Sequence, residues 1–308
     1  MGYPASGKTT LCQQYIEKGY TRCNRDIKGG SLSGLLPAVE AALQKGESII
    51  LDNTYPTVES RKPLIDLAKK YGAPIHLEVL DTTIEDAQFN ACLRAIKQYG
   101  KLLDVQEMRA TKDPSMFPAA VLFSYRKTLE PATPSEGFNS ITQIPFTRVL
   151  PNYTNKGIIF DYDGTLRTTK SGAKYPVTKQ DIEILPHRKE VLAAIPSEYI
   201  ICGASNQSGV AKGVLSNETA KSLFDHTNEL LGKEIDYTYC PHGPMPITCF
   251  CRKPMPGIGV AFMEKHKLDL RKTIMVGDLK SDKTFAARLG IQFVEAETFF
   301  SDPKKYLI

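Results

Sequence analysis

Gly157-Ile158-Ile159-Phe160-Asp161-Tyr162-Asp163-Gly164-Thr165 decides how the second half of the chain folds. An uncharged apolar run ends abruptly in two carboxylates, a glycine and a threonine. Such a run is short for a helix and, bounded by turn residues, reads as a strand covered on both faces. Its polar end then lies where ligands of open parallel sheets bind, beyond the carboxyl ends of the strands. Two further apolar runs, Glu198 to Ala204 and Thr273 to Gly277, end in the same manner, in Ser205-Asn206-Gln207 and in Gly277-Asp278. The pattern predicts a parallel α/β sheet with polar groups gathered at one edge.

Those polar groups suit phosphoryl chemistry. Asp161 can attack phosphorus as a carboxylate nucleophile, and Asp163 can protonate the leaving oxygen and later activate water. Two carboxylates repel a dianionic ester, so a cation is required, and Mg²⁺ held by carboxylates and substrate phosphate meets that need. Gly164 permits the tight turn. The Ser205 hydroxyl can bind a phosphoryl oxygen, Lys253 can neutralise the transferring group, and Asp278 can complete the metal shell, with Asp282 four residues later. A lone Asp-x-Asp is more commonly a turn or a weak ion site. The ordered set points to catalysis.

Just ahead of Lys253 stand Cys240-Pro241-His242 and Cys249-Phe250-Cys251. Three thiolates and an imidazole suit tetrahedral Zn²⁺ and leave no open position, the mark of a structural site. The loop from Gly243 to Thr248 has little to pack with and needs such a staple. Free thiols in a loop are the alternative.

Toward the N-terminus, Gly2-Tyr3-Pro4-Ala5-Ser6-Gly7-Lys8-Thr9-Thr10 fits G-x-x-x-x-G-K-[ST]. Glycines let backbone N–H groups curl round phosphates, Lys8 reaches the β/γ oxygens, and Thr9 ligates Mg²⁺. Gly2, Gly7, Lys8, Thr9 and Thr10 are therefore the candidate ATP contacts, and the helix from Thr9 to Lys18 adds its dipole. This motif normally follows a buried strand. Only Met1 precedes Gly2, so the first strand of this sheet is expected to be missing and the cradle less well held. Strands are predicted at Ser48–Asp52 and Ile75–Leu80, with helices over Thr57–Tyr71 and Thr83–Tyr99. Asp26, in Asn24-Arg25-Asp26, can take a proton from an attacking hydroxyl or serve as a helix cap. Asp52-Asn53-Thr54 offers hydrogen bonds to an acceptor. Arg94 can neutralise the transferred group or be an ordinary solvated charge.

The boundary falls near Pro145–Asn155, giving domains 1–150 and 151–308. A length of 308 residues accommodates two cores. A net charge of +5 is compatible with phosphate-rich ligands but too small to argue nucleic acid alone. Seven cysteines, an odd number with a local cluster and no secretory segment, favour a reducing compartment, by default the cytoplasm. No apolar run is long enough for a membrane span. Tyr153, Tyr162, Tyr175, Tyr237 and Tyr239 could stack on bases, though aromatic residues beside strands are usually core or rim.

The first half resembles the kinase domain of polynucleotide 5′-kinases. The matching segments are Gly2 to Thr9, Asn24-Arg25-Asp26, Ile50 to Pro56, Phe123 to Lys127, Glu136-Gly137-Phe138 and Ile144-Pro145-Phe146. That resemblance implies Asp26 as general base for a 5′-hydroxyl, Lys8 and Thr9 on ATP-Mg, Arg94 as a lid arginine, and Asn53 and Arg61 near the nucleic-acid phosphate. Residues 156–298 resemble the haloacid dehalogenase superfamily, in the branch of histidinol- and heptose-bisphosphate phosphatases to which polynucleotide 3′-phosphatases are related. It implies Asp161 as nucleophile, Asp163 as acid/base, Ser205 and Lys253 on phosphate, and Asp161, the Asp163 carbonyl and Asp278 on Mg²⁺. Asn206 and Arg252 are expected beside the substrate. The zinc loop before Arg252-Lys253-Pro254 belongs to the same branch. Together the two halves imply an enzyme that heals DNA or RNA ends, nuclear in a eukaryote. The alternatives are a small-metabolite phosphatase with a kinase-like module, and a first half that only tethers nucleic acid.

Overall fold

A computed structural model describes residues 1–246 and 248–307; Ile247, inside the expected zinc loop, lies outside the described residues. The chain forms two compact units, Met1–Ala91 with Gln106–Val149, and Cys92–Val105 with the residues from Leu150 on.

In chain order up to Val149 the elements are α1 (Lys8–Ile16), β1 (Thr21–Cys23), α2 (Arg25–Lys28), α3 (Leu36–Gln44), β2 (Ile49–Leu51), α4 (Val58–Lys70), β3 (His76–Asp81), α5 (Ile84–Tyr99), α6 (Val105–Thr111), α7 (Ala120–Thr128) and β4 (Ser140–Pro145). Both predicted strands and all three predicted helices form. A capping box starts α4: the Thr57 hydroxyl accepts from the Ser60 N–H, and the Ser60 hydroxyl accepts from the Thr57 N–H.

The strands make two separate parallel pairs, β1 with β2 and β3 with β4. A cavity of about 620 Å³ lined by Ile49, Ile50 and Leu51 of β2 and Leu77 and Leu80 of β3 occupies the gap. Met1 stands there too. Its amine donates to the Glu78 carbonyl, and its own carbonyl accepts from Leu80 N at 2.9 Å. This is the bonding of a parallel ladder rung opposite Val79. Among the described residues, Met1 adds this one rung beside β3. Burial of the Met1 amine, reinforced by Lys8, lowers its pKa from 8.0 to about 5.

The second unit continues with β5 (Asn155–Phe160), β6 (Arg167–Thr169), β7 (Ile182–Ile184), α8 (Arg188–Ala194), β8 (Tyr199–Asn206), α9 (Ser208–Ala211), α10 (Asn217–Leu231), β9 (Asp236–Cys240), α11 (Gly257–His266), β10 (Leu268–Gly277), α12 (Lys280–Leu289), β11 (Gln292–Glu295) and α13 (Ala296–Ser301). Five strands form one parallel sheet in the order β11-β10-β5-β8-β9. Central β5 carries Ile158, Ile159 and Phe160, each fully buried, as a strand covered on both faces requires. Strand β10 begins at Leu268, earlier than its Thr273 start in the sequence reading. Leu268 pairs with Asn155, and the register then shifts before Thr273.

Phe160 packs edge-on against Phe299 and stacks with Phe300. Tyr162 meets Phe224 edge-on, and Tyr237 and Tyr239 stack on the same Phe224. These three tyrosines therefore belong to core and rim packing. Among the described residues no helix is long and apolar enough to cross a membrane.

Candidate active sites and metal centre

Strand β5 delivers Asp161 to the edge of the five-stranded sheet, and the Asp161 N–H donates to the Val276 carbonyl of β10 at 2.9 Å. The Lys253 ammonium lies 2.7 Å from Asp161 Oδ1 and 2.7 Å from Asp282 Oδ1. All three side chains are buried. Asn206 grips the backbone of Lys253, accepting from its N–H and donating to its carbonyl, each at 2.9 Å. Asp282 accepts from Leu279 N at 3.1 Å at the start of α12. Thr165 Oγ1 donates to Asp278 Oδ1 at 3.3 Å. Gly164 sits between them with φ +90°, and a Cβ there would lie 2.5 Å from Asp278 Oδ2. Ser205 is buried, and its hydroxyl accepts from Gln207 Nε2 at 3.0 Å.

The electrostatics call for a cation. Burial pushes Asp161 up to about 7, with Lys253 opposing and Asp282 reinforcing the shift. Burial and Asp282 likewise raise Asp278. Burial alone would depress Lys253, but Asp161 and Asp282 overcome it and hold the ammonium above its ordinary value. Carboxylate oxygens of Asp161, Asp278 and Asp282 lie within 4.8 Å of one another. Three acidic groups facing one ammonium leave an excess of negative charge that a hard divalent ion fits.

The cysteine cluster closes as its spacing suggests. Ligand atoms of Cys240, His242, Cys249 and Cys251 fall within 4.8 Å of one another. Cys240 Sγ is 3.8 Å from Cys249 Sγ, and His242 Nδ1 is 3.5 Å from Cys240 Sγ and 3.3 Å from Cys251 Sγ. Sulfurs bound tetrahedrally at ~2.3 Å stand ~3.8 Å apart, so the donor set fits zinc. Crowding among the sulfurs draws the Cys249 thiol down and pushes Cys240 and Cys251 up. A divalent ion removes that conflict. Arg252 Nη1 donates to the His242 carbonyl at 2.9 Å and ties this loop to Lys253.

In the first unit, Gly7 (φ +94°) turns the chain into α1. Thr82 Oγ1 donates to the Ser6 carbonyl at 3.0 Å and Asn90 Nδ2 to the Ala5 carbonyl at 2.9 Å, which tethers the loop. The Lys8 ammonium donates to the carbonyls of Gly2 (3.0 Å) and Tyr3 (2.6 Å). Thr9 Oγ1 donates to Asp52 Oδ2 at 3.1 Å, and Asp52 also pairs with Arg22. Thr10 is exposed on α1. Asn24, not Asp26, caps α2, accepting from Ile27 N at 3.1 Å. Asp26 is exposed beside Arg25, whose Nη2 is 3.0 Å away.

Several residues expected at substrate are committed elsewhere. Arg61 is 2% exposed. Its guanidinium forms a two-point pair with Glu136 at 2.7 and 2.9 Å and also donates to the carbonyls of Tyr55 and Glu130. It ties α4 to the Glu130–Glu136 segment of the first unit. Asn53 accepts from Arg25 N at 2.9 Å and donates to the Cys23 carbonyl at 3.2 Å, fixing the start of α2. Asn206 is likewise occupied with Lys253. Arg94 is half-buried on α5, in the stretch Cys92–Val105 that belongs to the second unit.

A family described as polynucleotide kinase 3 phosphatase matches residues 156–300, and one described as an AAA domain matches residues 1–97. The bifunctional polynucleotide phosphatase/kinase of Schizosaccharomyces pombe is 34% identical over 147 residues, which cover 47% of this chain and 32% of that protein. The D-glycero-beta-D-manno-heptose-1,7-bisphosphate 7-phosphatase of Pseudomonas putida is 31% identical over 148 residues, 46% of this chain and 83% of that enzyme. The chain carries a polynucleotide kinase 3 phosphatase domain at residues 156–300. It spans about a third of the length of the S. pombe relative. A solved D,D-heptose 1.7-bisphosphate phosphatase from B. bronchiseptica, complexed with magnesium and phosphate, is 29% identical, covers 45% of this chain and 78% of its own, and has a TM-score of 0.41.

Within this polynucleotide kinase 3 phosphatase domain, two residues had no role of their own from the sequence. Arg167 and Gln207 both bond the Asp163 carboxylate. Arginine four residues after an aspartate looks like a surface charge, and no spacing announces its burial. In the kinase-like unit Asp52, expected to offer hydrogen bonds to an acceptor, is the partner of Thr9.

Proposed function

We propose that the chain heals polynucleotide ends, removing a 3′-phosphate at Asp161 and phosphorylating a 5′-hydroxyl from ATP on the Gly2–Thr9 loop. The observation that carries this reading is the union, on one polypeptide, of a phosphatase domain of this family with a phosphate-binding loop. The name of the S. pombe relative supports the same pairing.

In the phosphatase, Asp161 attacks phosphorus while the ester P–O bond breaks, and Asp163 gives its proton to the departing oxygen. Asp163 then takes a proton from water as that water attacks the phospho-aspartate, releasing phosphate and restoring Asp161. Lys253 and Ser205 hold the phosphoryl oxygens, and Asn206 keeps Lys253 in place. Asp161, Asp278 and the Asp163 carbonyl would hold Mg²⁺, whose charge offsets the repulsion between carboxylates and ester. In the kinase, Gly2, Gly7, Lys8, Thr9 and Thr10 would cradle ATP, Asp26 would accept the 5′-hydroxyl proton, and Arg94 would act as the lid arginine. Cys240, His242, Cys249 and Cys251 would hold a structural Zn²⁺, with Arg252 bracing their loop. Seven free cysteines suit a reducing compartment, the cytoplasm or, in a eukaryote, the nucleus.

The test is a substrate panel: 3′-phosphorylated DNA and RNA oligonucleotides against heptose bisphosphate and histidinol phosphate, with labelled-phosphate transfer from ATP to 5′-hydroxyl oligonucleotides and Lys8→Ala as control. Preference for the oligonucleotides supports end healing, and the DNA and RNA arms identify the polymer. A second reading, a small-metabolite phosphatase, draws on the P. putida relative and on the cysteine–histidine loop. Preference for the small phosphates by orders of magnitude would establish it. ATP-independent oligonucleotide binding, unchanged by Lys8→Ala and without transfer, would reduce the first unit to a tether.

A further inference from the structure

Among the described residues, Arg167 is the largest fully buried side chain, at 1% exposure. Its Nε donates to Asp163 Oδ1 at 2.8 Å. Its Nη1 donates to the Leu223 carbonyl at 2.9 Å and to Thr227 Oγ1 at 2.7 Å, both on α10. The guanidinium lies over the rings of Phe224 and Tyr162, at 4.8 and 5.4 Å. From the other side, Gln207 Nε2 donates to Asp163 Oδ2 at 2.9 Å and to Ser205 Oγ at 3.0 Å. Both oxygens of the Asp163 carboxylate are therefore gripped, one by a charged donor and one by an amide. A buried guanidinium is costly unless its donors are used, and here they link the carboxylate to a long helix.

We propose that Arg167 and Gln207 are positioning residues that fix Asp163 in one rotamer and divide the work of its oxygens. Arg167, a cation, claims Oδ1 as the acceptor oxygen. Oδ2, facing only a neutral amide, is left to carry the proton to the leaving oxygen and to take one back from water. Helix α10, through Thr227 and Leu223, is the frame that sets this geometry. The inference rests on the reading of Asp163 as the acid/base.

The experiment compares two phosphomonoesters in steady state, one of a simple alcohol and 2,4-dinitrophenyl phosphate, whose leaving group needs no proton. Parent, Asp163→Asn, Arg167→Met, Arg167→Lys and Gln207→Leu are measured on both. Arg167→Met is expected to lower kcat on the alkyl ester by roughly 10²-fold, with KM little changed and the dinitrophenyl ester spared. Arg167→Lys should recover part of the loss, and Gln207→Leu should show the same split more weakly. An equal loss on both esters, as misfolding or a merely structural role would give, overturns the proposal. So does a Gln207→Leu protein without the split, should Arg167→Met fail to fold. If Asp163→Asn itself shows no split, the acid/base reading fails first. If it does and the Arg167 and Gln207 variants do not, only the positioning claim falls.

Discussion

Ile49-Ile50-Leu51 and Ile158-Ile159-Phe160 are nearly the same sequence in two different situations. The second lies in β5, hydrogen-bonded to β10 on one side and β8 on the other, and is fully buried. The first lies in β2, bonded to β1 alone, and stays partly exposed against the cavity that separates it from β3. Local composition makes each a strand. Whether both edges are paired depends on residues elsewhere. Asp161 therefore stands at the end of a strand held on two sides, whereas the Gly2–Thr9 loop is held by the Met1 rung and by side-chain bonds from Thr82 and Asn90. The two phosphate sites differ in how far they are preorganised.

The sharpest way to break this contrast is Asp161→Asn. Loss of the nucleophile should lower phosphomonoester hydrolysis by roughly four orders of magnitude or more, while labelled-phosphate transfer from ATP stays as it was. A parallel fall in transfer would mean that the two sites are not independent.

Next in size is the effect of supplying the gap. About five apolar β-forming residues joined to the Met1 nitrogen should pair between β2 and β3. Slower hydrogen exchange at Ile50 and Leu77 is the readout. The pH dependence has a definite sign. The Met1 amine titrates near 5 in the folded chain against an ordinary 8.0, so below pH 8 the unfolded chain binds a proton that the folded one does not. The first unit should lose up to about 4 kcal/mol of stability as pH falls from 8 to 5, with no dependence from this group above 8. The extended chain, with an amide in that place, should lack this slope.

What could be read from sequence follows the same division. The ends of β5, β8 and β10 were legible because an apolar run stopping at polar groups has one structural meaning in a parallel sheet. The cysteine–histidine loop was legible because ligand spacing alone nearly specifies it. The partners of Arg61 and Asn53 were not legible because sequence shows what a side chain can do, not what already occupies it: Glu136, the partner of Arg61, is remote in the chain. Arg167 was missed for the same reason, since its anchors on α10 lie far downstream. The early start of β10 follows from Leu268 meeting Asn155, a pairing that no local pattern announces.

Cys249→Ser sharpens the contrast from within the complete sheet's own unit. Metal analysis of the parent should give one zinc per chain, and the variant should lose it. Thermal unfolding of the second unit should then drop by the equivalent of about 2–4 kcal/mol. Because Arg252 bonds the His242 carbonyl, KM for phosphomonoesters should rise more than kcat falls. A zinc-free parent of equal stability would make the cluster four unligated side chains.

The smallest effect is also the most local comparison. Gly7 and Gly164 have almost the same backbone, φ +94° and +90°, so alanine at either incurs ~1–2 kcal/mol of left-handed strain. Their surroundings differ. A Cβ on Gly7 meets nothing nearer than Leu80 Cδ2 at 3.8 Å, whereas one on Gly164 would lie 2.5 Å from Asp278 Oδ2. Gly7→Ala should therefore cost stability alone through the backbone, apart from any effect on ATP. Gly164→Ala should add a displaced carboxylate. The Mg²⁺ concentration giving half-maximal phosphatase activity should rise by about tenfold in Gly164→Ala, and should not move in Gly7→Ala. Equal Mg²⁺ curves for the two variants would remove Asp278 from the metal shell, because the same backbone strain would then account for everything that the substitution does.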